Sequence, residues 1–287
     1  MKNFLRSLFI SFFLLAILTF SLYALMMLLQ GKTPTLSWLG LILAAGAPLV
    51  FFTRVLLAPK SVAVRQPLGT TALAGLGLAI TMAISWRYED AAGQVHAWAG
   101  CCFIAWVIYL RWYSTFDRKS IIQRLKGKSL PAFELEDFDG NPRLSSELSD
   151  GPHILMFIRG NWCPFCTAQV AELAGQYRAL SEWGVTIWVI SSQPQNHNRR
   201  LAQRFDVPIQ FLRDKNNQAA QSLGIEAPWG IPLGTQLLGY ASETAMPTVI
   251  ITDKNGKLLW AHETDNYRLR PDPETFLPIV KGEAKTG

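Results

Sequence analysis

Cys163 and Cys166, two residues apart, are the side chains of this 287-residue chain best placed by type and spacing to do chemistry. They lie in Gly160-Asn161-Trp162-Cys163-Pro164-Phe165-Cys166, where an apolar strand over 153–159 gives way to a helix beginning near Pro164. Cysteines at a helix amino terminus face unpaired backbone N–H groups and the positive end of the helix dipole, which favours thiolate and lowers the thiol pKa from about 8.5. Arg159 adds a positive charge on the same side. The spacing lets a disulfide close and reopen within one turn, as exchange through a mixed disulfide requires. Zinc would need four ligands, but this part of the chain has no other cysteine, and His153, His197 and His262 are scattered. No metal or other cofactor is expected. A permanent structural disulfide is disfavoured by the cytoplasmic placement argued below. His197, amid Gln195, Asn196, Asn198 and Arg199, reads as a polar loop residue.

The elements that must hold this pair follow from the pattern around it. Strands are expected at 133–135, 153–159, 185–191, 209–212, 248–252 and 258–264, and helices at 164–183, 198–205, 218–223 and 273–280. A Gly/Pro-rich insertion covers 224–245, and Lys254-Asn255-Gly256 makes the turn of a closing hairpin. Strands alternating with helices and ending in a hairpin give an α/β domain with a central mixed sheet.

The first part of the chain is different. A bilayer core of about 30 Å needs roughly 20 apolar residues of helix. Four such runs occur, at about 7–29, 36–57, 68–86 and 95–110, and they account for much of the 49% hydrophobic content. The expected organisation is a four-span membrane region over 1–113, a basic juxtamembrane linker over 114–128 and a globular domain over 129–287. The first run exceeds the roughly 7 to 15 apolar residues of a signal-peptide core and is expected to remain. Arg54 can snorkel to the headgroups, Trp98, Trp106, Tyr109, Trp112 and Tyr113 suit an interface belt, and Gly69, Gly75 and Gly77 suit close helix packing. Cys101 and Cys102 in the fourth run read as small apolar helix residues.

Orientation follows from the basic residues. Lys2, Arg6, Arg54, Lys60, Arg65, Arg111, Arg118, Lys119, Arg124, Lys126 and Lys128 fall on one side, against Lys32 and Arg87, the latter beside Glu89 and Asp90. Both termini and the globular domain are therefore expected to be cytoplasmic, in a bacterial inner (plasma) membrane. The net charge of +6 is largely the basic excess beside the spans, so the lipid bilayer, not nucleic acid, is the partner it implies.

Residues 126–280 resemble the redoxin branch of the thioredoxin superfamily, also called alkyl hydroperoxide reductase/thiol-specific antioxidant (AhpC/TSA) or peroxiredoxin-like. The resemblance rests on Phe157-Ile158-Arg159-Gly160-Asn161-Trp162-Cys163-Pro164-Phe165-Cys166, joined to Met246-Pro247-Thr248 and Asp253 to Gly256. It implies a thioredoxin-like fold, a cis Pro247 lying against the cysteines, and supporting places for Arg159, Trp162 and Thr248. Arg270 falls where the family often carries an arginine near the active site; a surface position is the competing reading.

The resemblance leaves two chemistries open. The peroxiredoxin pattern Pro-x3-Thr-x2-Cys, laid on this chain, makes Cys166 the peroxide-attacking residue, with Arg159 in place of the proline and Cys163 in place of the threonine. The CxxC with a cis proline instead resembles a disulfide reductase led by Cys163. Either way Cys163 and Cys166 are the catalytic, redox-active pair. The substrate is a peroxide or a protein disulfide, and an external thiol reductant such as a thioredoxin system is required; copies of the chain can associate. A redox sensor or membrane scaffold without efficient turnover is the reading from another class.

Overall fold

The computed structural model describes residues 2–57, 67–87, 93–116, 118 and 122–285. Lys60, Arg65, Glu89, Asp90 and Lys119, on which the expected orientation partly rests, lie outside the described residues. The chain divides into two compact units.

One unit, Leu8–Ala58 with Val64–Thr115, is helical. It is built from α1 (Lys2–Leu29), α2 (Thr35–Leu57), α3 (Leu68–Arg87) and α4 (Gly93–Ile108), the last continued by a π-wound turn at Tyr109–Tyr113. α1, α2, α3 and the run Gln94–Tyr113, which joins α4 to its π-wound turn, are long and apolar enough to cross a membrane, with mean hydropathies of 2.5, 2.0, 1.6 and 1.2. Of the glycines expected at a helix interface, Gly77 is the one in tight contact. A Cβ there would fall 2.5 Å from Ala44 N and 2.8 Å from Leu43 Cβ, whereas Gly69 has nothing within 4 Å and Gly75 meets only Phe103. Gly77→Leu is therefore expected to separate α2 from α3 and destabilise this unit by about 1–3 kcal/mol or more, the usual cost of overpacking. Gly69→Leu should leave it unchanged, as thermal unfolding in detergent would register.

The expected aromatic belt is corrected in part. Trp106 and Tyr109 are fully buried, packed on Phe13, Phe51 and Phe52 with ring centroids 4.9–6.1 Å apart for Phe52–Tyr109, Phe51–Trp106 and Phe13–Tyr109, and Tyr113, nearly as buried, stacks on Tyr109 at 5.7 Å. Their spacing of three and four residues puts them on one helix face, and that face turns inward.

The other unit contains Phe116–Gly287 together with Met1–Ser7. Its elements are β1 (Glu134–Glu136), β2 (Pro142–Leu144), β3 (His153–Phe157), α5 (Pro164–Gly175), α6 (Tyr177–Glu182), β4 (Thr186–Ser191), α7 (Gln195–Ala202), β5 (Gln210–Arg213), α8 (Gln218–Ser222), β6 (Glu226–Ala227), β7 (Thr244–Ala245), β8 (Thr248–Thr252), β9 (Leu258–Glu263) and α9 (Pro273–Lys285). Among the described residues a seven-stranded mixed sheet runs β2-β1-β5-β4-β3-β8-β9. β3 lies parallel to β4 and antiparallel to β8, and β4 lies parallel to β5. All five residues of β3 are buried, as a strand covered on both faces requires.

Several expected elements shift. The helix read over 164–183 breaks at Gln176, where ψ is 0°; Gly175 weakens the helix just before it, and the Gln176 N–H turns to Leu173 and Ala174 carbonyls. The insertion at 224–245 is ordered by the antiparallel pair β6–β7 and by a short 3-10 turn, Thr235–Leu238, flanked by left-handed Gly234 and Gly239. The expected cis peptide at Pro247 is absent: the Met246–Pro247 bond is trans. Only two residues, Met246 and Pro247, separate β7 from β8.

The basic linker expected over 114–128 is also revised. The Arg118 side chain is buried, pairing with Glu263 at 3.3 Å and donating to Thr248 Oγ1 at 2.8 Å and Pro247 O at 3.3 Å. Ile122 joins the core of the sheet. Among the described residues of this stretch, Arg118 and Ile122 thus pack with the globular unit, a charge and an apolar side chain that complete the packing around β8 and β9.

Candidate active site

The cysteine loop is set by the end of β3. Ile158 N still bonds to Ile190 O at 2.9 Å, and then the chain turns at Gly160 with φ +139°. Only glycine fits there, since a Cβ would lie 2.7 Å from Trp162 Nε1 and 3.0 Å from Gln193 Oε1. Cys163 is the N-cap of α5, with Pro164 opening the first turn, and its carbonyl accepts from Cys166 N and Thr167 N at 3.0 and 3.1 Å. The two cysteines are not bridged to each other and are buried, Cys163 being 2% and Cys166 0% exposed.

Two arginines converge on it. Arg270 Nη2 donates to Cys166 Sγ at 3.4 Å, while its Nη1 is held by the carbonyls of Tyr267 and Leu269. Arg270 is buried, so the surface reading is overturned. The Arg159 guanidinium lies between the rings of Trp162 and Tyr267, at 4.7 and 5.0 Å from their centroids, and donates to Gly230 O. Thr244 Oγ1 donates to Arg159 O at 2.9 Å. Trp162 thus acts as one wall of the Arg159 sandwich. Pro247 and Thr248 sit one strand away, with Thr248 paired to Phe157, and are fixed from behind by Arg118.

The electrostatics separate the two thiols. Burial pushes Cys166 up, but a hydrogen bond from Cys163, the Arg270 charge, the Arg159 backbone and the Arg270 hydrogen bond together hold it down to about 5. For Cys163, burial, its hydrogen bond to Cys166 and the Cys166 charge all push up, and the charges of Arg270 and Arg159 offset this only partly. The stable arrangement near neutral pH is a Cys166 thiolate accepting from a Cys163 thiol.

A polar network that the residue pattern did not reveal braces the loop. Gln193 Oε1 accepts from Asn161 N at 2.8 Å, and Gln193 Nε2 donates to Asn198 Oδ1 at 2.6 Å. The Tyr240 hydroxyl donates to Asn161 Oδ1 at 2.5 Å and lies 3.2 Å from His197 Nδ1, whose ring stacks on Tyr240 at 4.3 Å. His197 is therefore a buried residue of α7 and not a loop residue, buried along with Asn198 and Leu201 of the same helix. Tyr240→Phe, which strands Asn161 Oδ1, is expected to cost about 1–3 kcal/mol. It should also speed amide hydrogen exchange across 160–166, as mass spectrometry of that peptide would record. Among the described residues no group of three or more His, Cys, Asp or Glu converges as a metal site.

Residues 126–261 match the model of the AhpC/TSA family. The chain is 26% identical over 133 residues to the chloroplastic peroxiredoxin Q of Sedum lineare, covering 46% of this chain and 64% of that protein. It is 25% identical over 147 residues to the chloroplastic peroxiredoxin Q of Suaeda salsa, covering 50% and 63%. The chain thus spans less than two thirds of the length of these relatives. Among solved structures, the peroxidoxin BcpB of Mycobacterium tuberculosis aligns over 56% of this chain and 96% of its own, with 24% identity and a TM-score of 0.43.

Proposed function

Since residues 126–261 match the AhpC/TSA family model, we propose that this chain is a membrane-anchored peroxide reductase of that family in which Cys166 attacks peroxide and Cys163 resolves. The observation that carries the assignment is Arg270 Nη2 on Cys166 Sγ at 3.4 Å, which selects the second cysteine as the thiolate. The Cys166 sulfur attacks one peroxide oxygen; the S–O bond forms as the O–O bond breaks, and water or an alcohol leaves after protonation. Cys166 is then a sulfenic acid, oxidised by the two electrons the peroxide gained. Cys163 attacks that sulfur, water leaves, and the disulfide forms. An external dithiol restores both thiols.

Burial favours peroxide over a protein disulfide as substrate. With Cys163 and Cys166 only 2% and 0% exposed, a disulfide on another protein reaches Cys163 only after the loop opens, whereas a peroxide needs a gap of a few atoms. The four apolar helices supply the anchor, and the basic residues beside them favour a cytoplasmic domain, with a cytoplasmic thiol reductant such as a thioredoxin system. The test is steady-state turnover of the full chain in lipid nanodiscs with a dithiol donor, comparing hydrogen peroxide with a protein disulfide. Peroxide turnover well above protein-disulfide turnover is expected; the reverse order would hand the leading role to Cys163.

A further inference from the structure

Residues 227–242 contain no charged side chain. Within them Trp229, Leu233, Leu237 and Leu238 are 46%, 40%, 92% and 67% exposed. Their backbone is firmly held: β6 and β7 pair at its ends, Arg159 donates to Gly230 O, and Tyr240 bonds to Asn161. Apolar side chains presented together by a fixed backbone mark a contact surface.

The surroundings identify the partner. Ser7 Oγ donates to Ile231 O at 2.7 Å, Leu233 N donates to Ser7 O at 3.4 Å, and Phe4 meets the Trp229 ring edge-on at 5.3 Å. Met1–Ser7 belong to the same compact unit as the insertion, and the uncharged apolar run of α1 begins at Ser7. The insertion is thus hydrogen-bonded to the residue at which a bilayer-crossing helix would enter the lipid. Arg200 and Arg204, both exposed residues, are near enough for their charges to act on the Tyr240 hydroxyl. An apolar face with an aromatic residue and a cationic rim is the pattern of a segment lying in the bilayer interface, with acyl chains under the apolar groups and phosphates against the arginines.

We infer that the insertion around 228–240 is a lipid-contact loop that seats Trp229, Leu233, Leu237 and Leu238 in the interfacial layer of an anionic bilayer. This rests on the membrane anchoring proposed above. Through Tyr240 and Asn161, the bilayer surface is then one hydrogen bond away from the loop that carries Cys163.

The experiment compares tryptophan emission of the full chain and of Trp229→Phe in phosphatidylcholine/phosphatidylglycerol bilayers with plain or brominated acyl chains. Bromine quenches tryptophans that touch lipid. The emission difference between the two proteins, which belongs to Trp229, is expected to be largely lost in brominated lipid, and Trp229→Tyr should give the same difference. If that difference persists while Trp86 and the other span tryptophans are quenched, the loop does not touch lipid and the inference is overturned. If nothing is quenched, the membrane anchoring itself fails and takes the inference with it.

Discussion

Replacing Cys166 with Ser is expected to reduce the rate of reaction with hydrogen peroxide by at least about 10³-fold, the scale on which an enzyme loses activity with its nucleophile. Replacing Cys163 with Ser should leave this first step within severalfold of wild type, because the serine hydroxyl can still donate to the Cys166 thiolate. The same variant should lose dithiol-driven turnover, since no partner sulfur remains to close the disulfide. The asymmetry follows from position. Cys163 is the N-cap with its thiol directed to Cys166, whereas Cys166 lies in the first turn of α5 with Arg270 on its sulfur. Stopped-flow mixing of each reduced variant with peroxide separates the steps.

The second large effect concerns Arg270. With the Cys166 pKa at about 5, the peroxide rate of wild type should stay level through neutral pH and fall as pH drops through about 5, because protonation removes the thiolate. Removing a facing positive charge typically moves such a pKa by about 1–3 units, here upward. A shift of about two units would leave roughly one molecule in ten as thiolate at pH 6, so Arg270→Met should be about tenfold slower there and recover as pH rises. Arg270→Lys, which keeps a cation in the same pocket, should restore part of the low-pH rate. A pH–rate profile of the three proteins reads this directly, and an unmoved inflection in Arg270→Met would show that the guanidinium does not hold the thiolate.

The parts legible in the sequence were those whose cause is local. The apolar runs, the strand-to-helix junction at Cys163 and the Lys254-Asn255-Gly256 turn each depend on residues within one element, and each is in the structure. Asp253 shows why the turn was visible: its carboxylate accepts from Asn255 N and Lys257 N, a pattern carried by neighbouring residues. What was missed depends on distant partners. Arg118 is separated from Glu263 by most of the domain, and no charge pattern distinguishes it from its solvated neighbours. Tyr240 and His197 meet only because the insertion folds back over α7. Two-residue strands such as β6 carry too little periodicity to be read. Pro247 is the opposite case: the resemblance implies a cis bond there, and the Met246–Pro247 bond is trans. Arg270 stood between the two cases: its place in the sequence suggested the site, and only its burial against Cys166 assigned it.

The central claim is that Cys166, not Cys163, is the residue that meets peroxide. The most direct measurement treats reduced Cys163→Ser and Cys166→Ser, each as the whole 287-residue chain, with one equivalent of hydrogen peroxide in the presence of a sulfenic-acid trap, and maps the adduct by peptide mass spectrometry. The account predicts an adduct on Cys166 in Cys163→Ser and none on Cys163 in Cys166→Ser. An adduct on Cys163 alone would contradict it and make the first cysteine the nucleophile.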